Sequence, residues 1–287
     1  MKKYEIAKDI KRIRAFFNIS QSEFAKSIAS SRISIARYES GTTYPNLSTI
    51  EAIYSYAYTR KLHLNDAKAS LYQDDAKENK LLFHGARNEI KGEVDIYHSI
   101  APNDFGDGFY AGEGLNQAAT WVSASYESSI YCFYFKNLSD LKCTSFTVGR
   151  KWMYAVLYYR GAFDGKKVPE EVMEVVKEVE ESDYLIAPIA DNQMYQILNR
   201  FSDGQITDEA CLHALASTNL GLQYVFKTMK ACSRLECIDR LYLCQAEKND
   251  YENIKDSMKS ASQSKAELSI VEYRRKGKYF DELFKGI

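Results

Sequence analysis

A histidine followed by a glycine ends a short apolar segment of the sequence, and this pair is suited to binding a polar ligand. The run 81–83 predicts a strand that ends at His84, and Gly85 comes next. Because glycine has no side chain, a ligand can approach its backbone N–H and C=O, which can pair with a carboxamide. The imidazole of His84 can hydrogen-bond a ribose hydroxyl.

Two aromatic residues further along the chain could enclose a flat ring. Tyr110 follows a loop in which Gly106 and Gly108 permit a tight turn, and Trp121 comes 11 residues after Tyr110, on a predicted helix. Rings held in this way could face each other and sandwich a planar cation, which gains roughly 0.5–2 kcal/mol per contact. The nicotinamide ring of NAD is such a cation.

These motifs resemble the nicotinamide half of the NAD site in ADP-ribosyltransferases of the diphtheria toxin and poly-ADP-ribose polymerase type. The matching runs are Leu-Phe-His-Gly-Ala-Arg at 82–87 and Gly-Asp-Gly-Phe-Tyr at 106–110. The resemblance extends over roughly residues 80–245 and implies an uncharacterised bacterial branch with NAD as the substrate. It implies catalytic roles for His84, Tyr110 and Gln223, and NAD binding by Gly85, Ala86, Arg87 and Trp121.

Two positions depart from the family pattern. Ala86 replaces a serine, which removes one hydrogen bond to the amide and about 0.5–1.5 kcal/mol. Gln223 replaces a glutamate at the start of a late strand, so it can hydrogen-bond the ribose but cannot supply negative charge to an oxocarbenium-like transition state. This substitution argues against the elongation of a poly-ADP-ribose chain more strongly than against the transfer of a single ADP-ribose. A regulator that senses NAD without turnover and an NAD hydrolase remain alternatives.

The first 66 residues have a helical pattern and a basic charge. Apolar spacing predicts helices over 4–17, 21–28 and up to Ser40, with a fourth that starts at Leu47. The segments 19–25 and 32–41 and the proline after them resemble the helix-turn-helix of Cro and the phage repressors. In such domains the second helix of the motif lies in the major groove, and dimers are usual, so a homodimer is implied. The DNA-binding residues expected on this basis are Gln21, Ser31, Arg32, Ser34 and Arg37.

The charge distribution supports a nucleic-acid-binding module joined to a different domain. Residues 1–66 contain 11 Lys and Arg against 6 Asp and Glu, whereas the remainder contains 27 against 33. The alternative for 1–66 is a four-helix bundle whose basic residues are merely solvated. The polar run 73–79 marks an inter-domain linker or the continuation of a helix, and the C-terminal segment is charged and helical in pattern.

We therefore expect an α+β protein, in which an all-α helix-turn-helix domain precedes a mixed-sheet ADP-ribosyltransferase-like domain. The predicted segments are the DNA-binding domain 1–66, the linker 67–79, the transferase-like domain 80–247 and the C-terminal tail 248–287. After the strand predicted over 184–190, Asp191 and Asn192 either lie near the site or cap the next helix.

Composition places further limits on function. No apolar run approaches the roughly 18 residues of a membrane span, and no signal-peptide core is recognisable, so a cytoplasmic protein is expected. The six cysteines form no CxxC pair, which favours buried small side chains over disulfides or a metal site. By analogy, the fusion suggests a component of a toxin–antitoxin or phage-defence system, with an antitoxin as partner and an ADP-ribose acceptor of unknown kind.

Overall fold

The structure is a computed structural model that describes residues 2–97, 99, 103–136, 139–190, 192–217 and 221–284, without the side chain of Asn192. Its helices are α1 (Ile6–Phe17), α2 (Gln21–Ser27), α3 (Arg32–Glu39), α4 (Leu47–Thr59), α5 (Leu64–Asp75), α6 (Leu115–Val122), α7 (Arg150–Tyr159), α8 (Glu170–Glu180), α9 (Asn192–Ser202), α10 (Asp208–Ala216), α11 (Met229–Cys232), α12 (Gln245–Tyr273) and α13 (Phe280–Leu283). Its strands are β1 (Lys80–Ala86), β2 (Phe109–Gly112), β3 (Ser129–Phe135), β4 (Cys143–Ser145), β5 (Tyr184–Pro188), β6 (Leu222–Phe226) and β7 (Leu235–Tyr242). The mixture of helices and strands confirms the predicted α+β class.

The chain forms two compact units, and each is assembled from three separate stretches. The first unit consists of Met1–Gly92, Ala118–Phe135 and Glu236–Ile254. The second consists of Glu93–Gln117, Lys136–Leu235 and Lys255–Ile287. The helices of the predicted domain 1–66 therefore share a compact unit with strands from the predicted transferase-like region.

Local sequence signals explain the helices of the first unit. Ser20 caps α2 in a reciprocal capping box with Glu23, so two backbone N–H groups at the helix start are satisfied. Asn46 caps α4 by accepting a hydrogen bond from the Thr49 backbone. Past the end of α3, Gly41 has φ +74°, a left-handed conformation that glycine adopts without strain. These signals confirm the four predicted helices, with ends within a few residues.

The apolar core of the first unit joins the N-terminal helices to the region around β7. It includes Ile10 and Ile13 of α1 and Phe24 of α2, all fully buried. Tyr242, at the end of β7, and Cys244 belong to the same core. Burial of such apolar side chains contributes roughly 1.5–3 kcal/mol each, so this packing holds segments that are distant in sequence together.

A buried ion cluster links the same segments, and we refer to Asp9, Lys68 and Asp239 as the Asp–Lys–Asp cluster. Lys68 of α5 is 1% exposed, and its Nζ lies 2.9 Å from Oδ2 of Asp9 in α1 and 2.6 Å from Oδ2 of Asp239 in β7. Burial alone would lower the pKa of Lys68, but the two carboxylates outweigh it and raise the pKa above its ordinary value. The hydroxyls of Tyr54 and Tyr72 donate to Asp9 and Asp239 respectively.

The strands of the first unit are ordered β1-β3-β7. β1 and β3 are antiparallel, and His84 lies opposite Tyr131, with Gly85 opposite Ile130. Leu81, Leu82 and Phe83 are buried, whereas His84 and Gly85 are half-buried. The end of β1 therefore brings the histidine–glycine pair from the core towards the surface.

The strands of the second unit form a mixed sheet with the order β4-β5-β6-β2. β4 and β5 are parallel, while β5 and β6, and β6 and β2, are antiparallel. Helices α7 to α10 contribute to a large apolar core with β5 and β6, in which Trp152 is fully buried and donates from Nε1 to the carbonyl of Pro188. The mixed sheet predicted from the sequence is confirmed.

Two short strands were not predicted from the sequence. Strand β4 covers 143–145, and strand β2 begins at Phe109, directly after the predicted glycine loop. Helix α5 extends through most of the predicted linker 67–79, which agrees with the helical alternative for this segment. Among the described residues, no helix combines the length and the apolar character needed to cross a membrane.

Candidate functional site

The helix-turn-helix surface is formed by α2 and α3. Phe24 of α2 and Ile35 of α3 are fully buried in the same core and fix the two helices together. Arg32 and Arg37 of α3 are exposed, as expected for side chains that reach bases or phosphates. Ile33 is 64% exposed beside them and could contact a thymine methyl group. Sequence analysis did not assign a role to Ile33. An apolar residue on the exposed side of α3 is, however, a signal of a binding surface.

The remaining predicted DNA-binding residues are engaged within the protein. The Ser31 side chain caps α3 by accepting from the Ser34 backbone N–H at 3.0 Å, and the two hydroxyls lie 2.9 Å apart. The Gln21 amide donates to Glu39 at 2.8 Å, and Arg14 also donates to this carboxylate. Burial would raise the pKa of Glu39, but these hydrogen bonds lower it, so Glu39 stays charged. Of the five predicted DNA-binding residues, Arg32 and Arg37 are therefore the most available for contact with DNA.

The end of β1 is packed against α6 at Gly85. A Cβ atom at this position would lie 2.5 Å from the backbone oxygen of Ala118 and 2.9 Å from a methyl group of Val122. The space that glycine leaves open at this point is therefore filled by the α6 backbone. Trp121 lies on the same helix and is 50% exposed, so part of its indole surface is accessible to a ligand. Ala86 is buried and Arg87 is exposed.

Tyr110 belongs to the second unit, where it secures the loop that precedes it. Its hydroxyl donates to the Gly106 carbonyl at 2.7 Å and accepts from the Phe105 backbone N–H at 3.2 Å. Burial raises the pKa of this hydroxyl well above its ordinary value. Lys227 also holds the loop, because its Nζ donates to the carbonyls of Phe105 and Asp107 at 2.7 and 2.9 Å. The loop is thus fixed before any ligand arrives.

Gln223 lies at the start of β6 in a buried polar network of the second unit. Its Nε2 donates to Oδ2 of Asp104 at 2.9 Å and to the Pro188 carbonyl at 3.1 Å, so both amide N–H groups are used. Asp104 also pairs with Arg160 at 2.6 Å and accepts from the Ala190 backbone N–H. Sequence analysis missed Asp104 and Arg160, and no spacing pattern marks them.

The predicted site residues thus fall into two groups. His84, Gly85, Ala86, Arg87 and Trp121 belong to the first unit, whereas Tyr110 and Gln223 belong to the second. Asp191 and the Asn192 side chain lie outside the described residues, so the choice between a site and a capping role stays a prediction. Within the part of the chain that is described, no three His, Cys, Asp or Glu side chains are grouped to hold a metal ion.

The N-terminal helices and their exposed arginines define a helix-turn-helix DNA-binding protein. The family described as "Helix-turn-helix" matches residues 10–54, which cover the motif. The chain belongs to the family described as "Protein of unknown function (DUF3990)", which matches residues 81–237, more than half of its length. No curated protein and no solved structure matches the chain.

Removal of both exposed arginines of α3 is expected to weaken DNA binding. The double variant Arg32→Ala/Arg37→Ala should bind a promoter DNA fragment about 10- to 100-fold less tightly, with a shallower salt dependence, because two cationic contacts are lost. Fluorescence anisotropy at several salt concentrations measures both effects. The matched control is Arg274→Ala/Arg275→Ala, which removes two exposed arginines elsewhere. Equal affinities for the two double variants would contradict the assignment of α3 to the major groove.

Proposed function

We propose that this protein is an NAD-dependent mono-ADP-ribosyltransferase with an N-terminal DNA-binding domain. One observation carries the proposal: the half-buried Gly85, which follows His84 near the end of β1, is packed against the helix that holds the half-exposed Trp121. This is the order and spacing of residues on which the resemblance to the transferases depends. The same fusion of modules supports a role in a toxin–antitoxin or phage-defence system, with an antitoxin as a further partner.

The residues present suit NAD in chemical terms. An exposed indole face can stack on the nicotinamide ring, and a backbone N–H and C=O can pair with its carboxamide. In the proposed reaction His84 hydrogen-bonds the adjoining ribose, and Trp121 contacts the nicotinamide. The bond between this ribose and nicotinamide breaks, and nicotinamide leaves with the electron pair. The acceptor forms the new bond to the same sugar carbon and loses its proton. Positioning and electrostatics supply the rate enhancement.

A second candidate function is NAD sensing without turnover, and Gln223 favours it. This residue is uncharged, and its two N–H groups are already donated to Asp104 and Pro188. It therefore supplies no negative charge to a positively charged transition state. In this alternative NAD binds the transferase-like domain 80–247 and alters the affinity of the DNA-binding domain for its operator.

Incubation of the purified protein with NAD labelled in the adenylate part, in the presence of cell lysate, tests the proposal. Label on macromolecules supports transfer, free labelled ADP-ribose alone supports hydrolysis, and calorimetric binding without turnover supports sensing. The variants His84→Ala and Trp121→Ala should each weaken NAD binding by about tenfold or more, since each loses a contact worth about 1–2 kcal/mol. His63→Ala and Tyr97→Ala, which alter exposed rings elsewhere, are the controls. Absence of any NAD binding would overturn both candidate functions.

A further inference from the structure

A tyrosine-lined cleft in the first unit forms a site that the proposed function does not use. The cleft has a volume of about 330 Å³, which is in the range of small-ligand pockets. Its lining includes Tyr4, Tyr44 and Tyr242, together with Tyr126 from the segment before β3. We refer to it as the tyrosine cleft. Residues from the N-terminal helical region, outside α2 and α3, and from the DUF3990 region contribute to it jointly.

Tyr126 gives the tyrosine cleft an open aromatic surface. This side chain is 85% exposed, and an exposed large ring is available for stacking. Tyr4 and Tyr242, by contrast, pack edge to face with ring centroids 5.3 Å apart, so they form a fixed wall. A flat ligand can therefore stack on Tyr126 beside a rigid aromatic surface.

Ser128 supplies a buried polar group without a partner. It is 3% exposed, and within the described part of the chain its hydroxyl makes no hydrogen bond. The next residue differs, because the Ser129 hydroxyl is bonded to Tyr4 at 3.1 Å and to Arg240 at 3.0 Å. A buried hydroxyl without a partner is destabilising, and a ligand with a polar edge would supply the missing hydrogen bond.

The charges around the tyrosine cleft favour an uncharged ligand. Arg240 is paired with Glu89 at 3.1 Å, and its guanidinium lies over the Tyr4 ring at 4.4 Å. The second cation, Lys3, lies over the Tyr44 ring at 5.6 Å, and Glu127 is a second carboxylate among the lining residues. Because the positive and negative groups balance, no net field attracts a polyanion.

We propose that the tyrosine cleft binds a nucleoside, whose base stacks on Tyr126 and whose polar edge hydrogen-bonds the Ser128 hydroxyl. A nucleobase combines a flat aromatic face with hydrogen-bonding edges and carries no charge, which are the three properties that the cleft selects. The site is independent of the proposed NAD chemistry, since it shares no residue with it.

Calorimetric titration of the full-length protein with adenosine, guanosine, cytidine, uridine and L-tryptophan tests this proposal. At least one nucleoside should bind. Tyr126→Ala should weaken its binding about tenfold, by loss of base stacking, and Ser128→Ala about two- to tenfold, by loss of one neutral hydrogen bond. Tyr97→Ala removes another exposed tyrosine, 74% exposed, and should leave the affinity unchanged.

Two further measurements make the result decisive. The variant His84→Ala/Trp121→Ala should retain nucleoside binding, and its loss would place the nucleoside at the proposed NAD residues and overturn the proposal. Ser128→Ala should not lower the thermal unfolding temperature, because it removes a hydroxyl without a partner, so weaker binding cannot be ascribed to unfolding. The proposal is also overturned if no nucleoside binds, if only tryptophan binds, or if Tyr126→Ala and Ser128→Ala leave the affinity unchanged.

Discussion

Replacement of Lys68 by methionine is expected to lower the free energy of unfolding by about 3–5 kcal/mol. The variant leaves Asp9 and Asp239, both 0% exposed, as buried carboxylates without their shared cation. Methionine fills a similar volume, so the loss reflects charge more than a cavity: Asp239 loses the lysine cation, whereas Asp9 keeps Arg12 at 2.9 Å. Urea-induced unfolding, followed by circular dichroism, measures the change.

Two controls separate the Asp–Lys–Asp cluster from a general effect of lost lysine. Lys255→Met removes an exposed lysine from α12 and should change the stability by less than about 0.5 kcal/mol. The triple variant Asp9→Asn/Lys68→Met/Asp239→Asn should recover part of the loss, because no isolated charge then remains buried. If Lys68→Met alone lowered the free energy of unfolding by less than about 1 kcal/mol, the cluster would not be as strongly desolvated as its burial indicates.

Substitution of Gly85 by valine is expected to destabilise the protein by about 3 kcal/mol, at the upper end of the range for overpacking. On strand propensity alone the change should be favourable, since valine is a good strand former and glycine a poor one. The new Cβ, however, would lie 2.5 Å from the Ala118 oxygen. A backbone atom cannot move aside as the end of a flexible side chain can. The steric clash therefore outweighs the gain in strand propensity.

Two further variants test this explanation for Gly85. Gly149→Ala places a Cβ atom no closer than 3.7 Å to its nearest neighbour and should be tolerated. Gly85→Val/Val122→Ala removes the crowded side-chain neighbour but leaves the Ala118 carbonyl in place. This double variant should remain destabilised. If it regained full stability, the side chain of Val122, and not the backbone of α6, would be the cause.

The sequence predicted the local elements well where local chemistry determines them. Ser20, Ser31 and Asn46 each cap a helix of the N-terminal region by accepting a backbone N–H bond, and such residue types before a helical apolar pattern are a local signal of a helix start. Likewise, the apolar run before His84 predicted β1. These signals act over three or four residues and need no knowledge of the tertiary structure.

Long-range contacts account for what the sequence did not reveal. Lys68 looks like part of a polar linker, and only its contacts with two distant carboxylates explain its burial. Gln223 was predicted to face a ribose hydroxyl, but its amide meets Asp104, which is 119 residues away in sequence. No periodicity encodes such partners. The assignment of His84, Gly85, Tyr110, Trp121 and Gln223 to an NAD site stays a prediction for the labelling experiment.

The discontinuous first unit has a consequence for biosynthesis. Asp9 and Asp239 share one cation, and Tyr242 completes the core that begins with α1, so the module near the amino terminus depends on residues that leave the ribosome much later. In such a non-local arrangement the entropy of loop closure is lost before the stabilising contacts form. We expect nascent chains arrested before residue 235 to bind DNA weakly. The operator would then be occupied only by chains in which the transferase-like domain has already been synthesised.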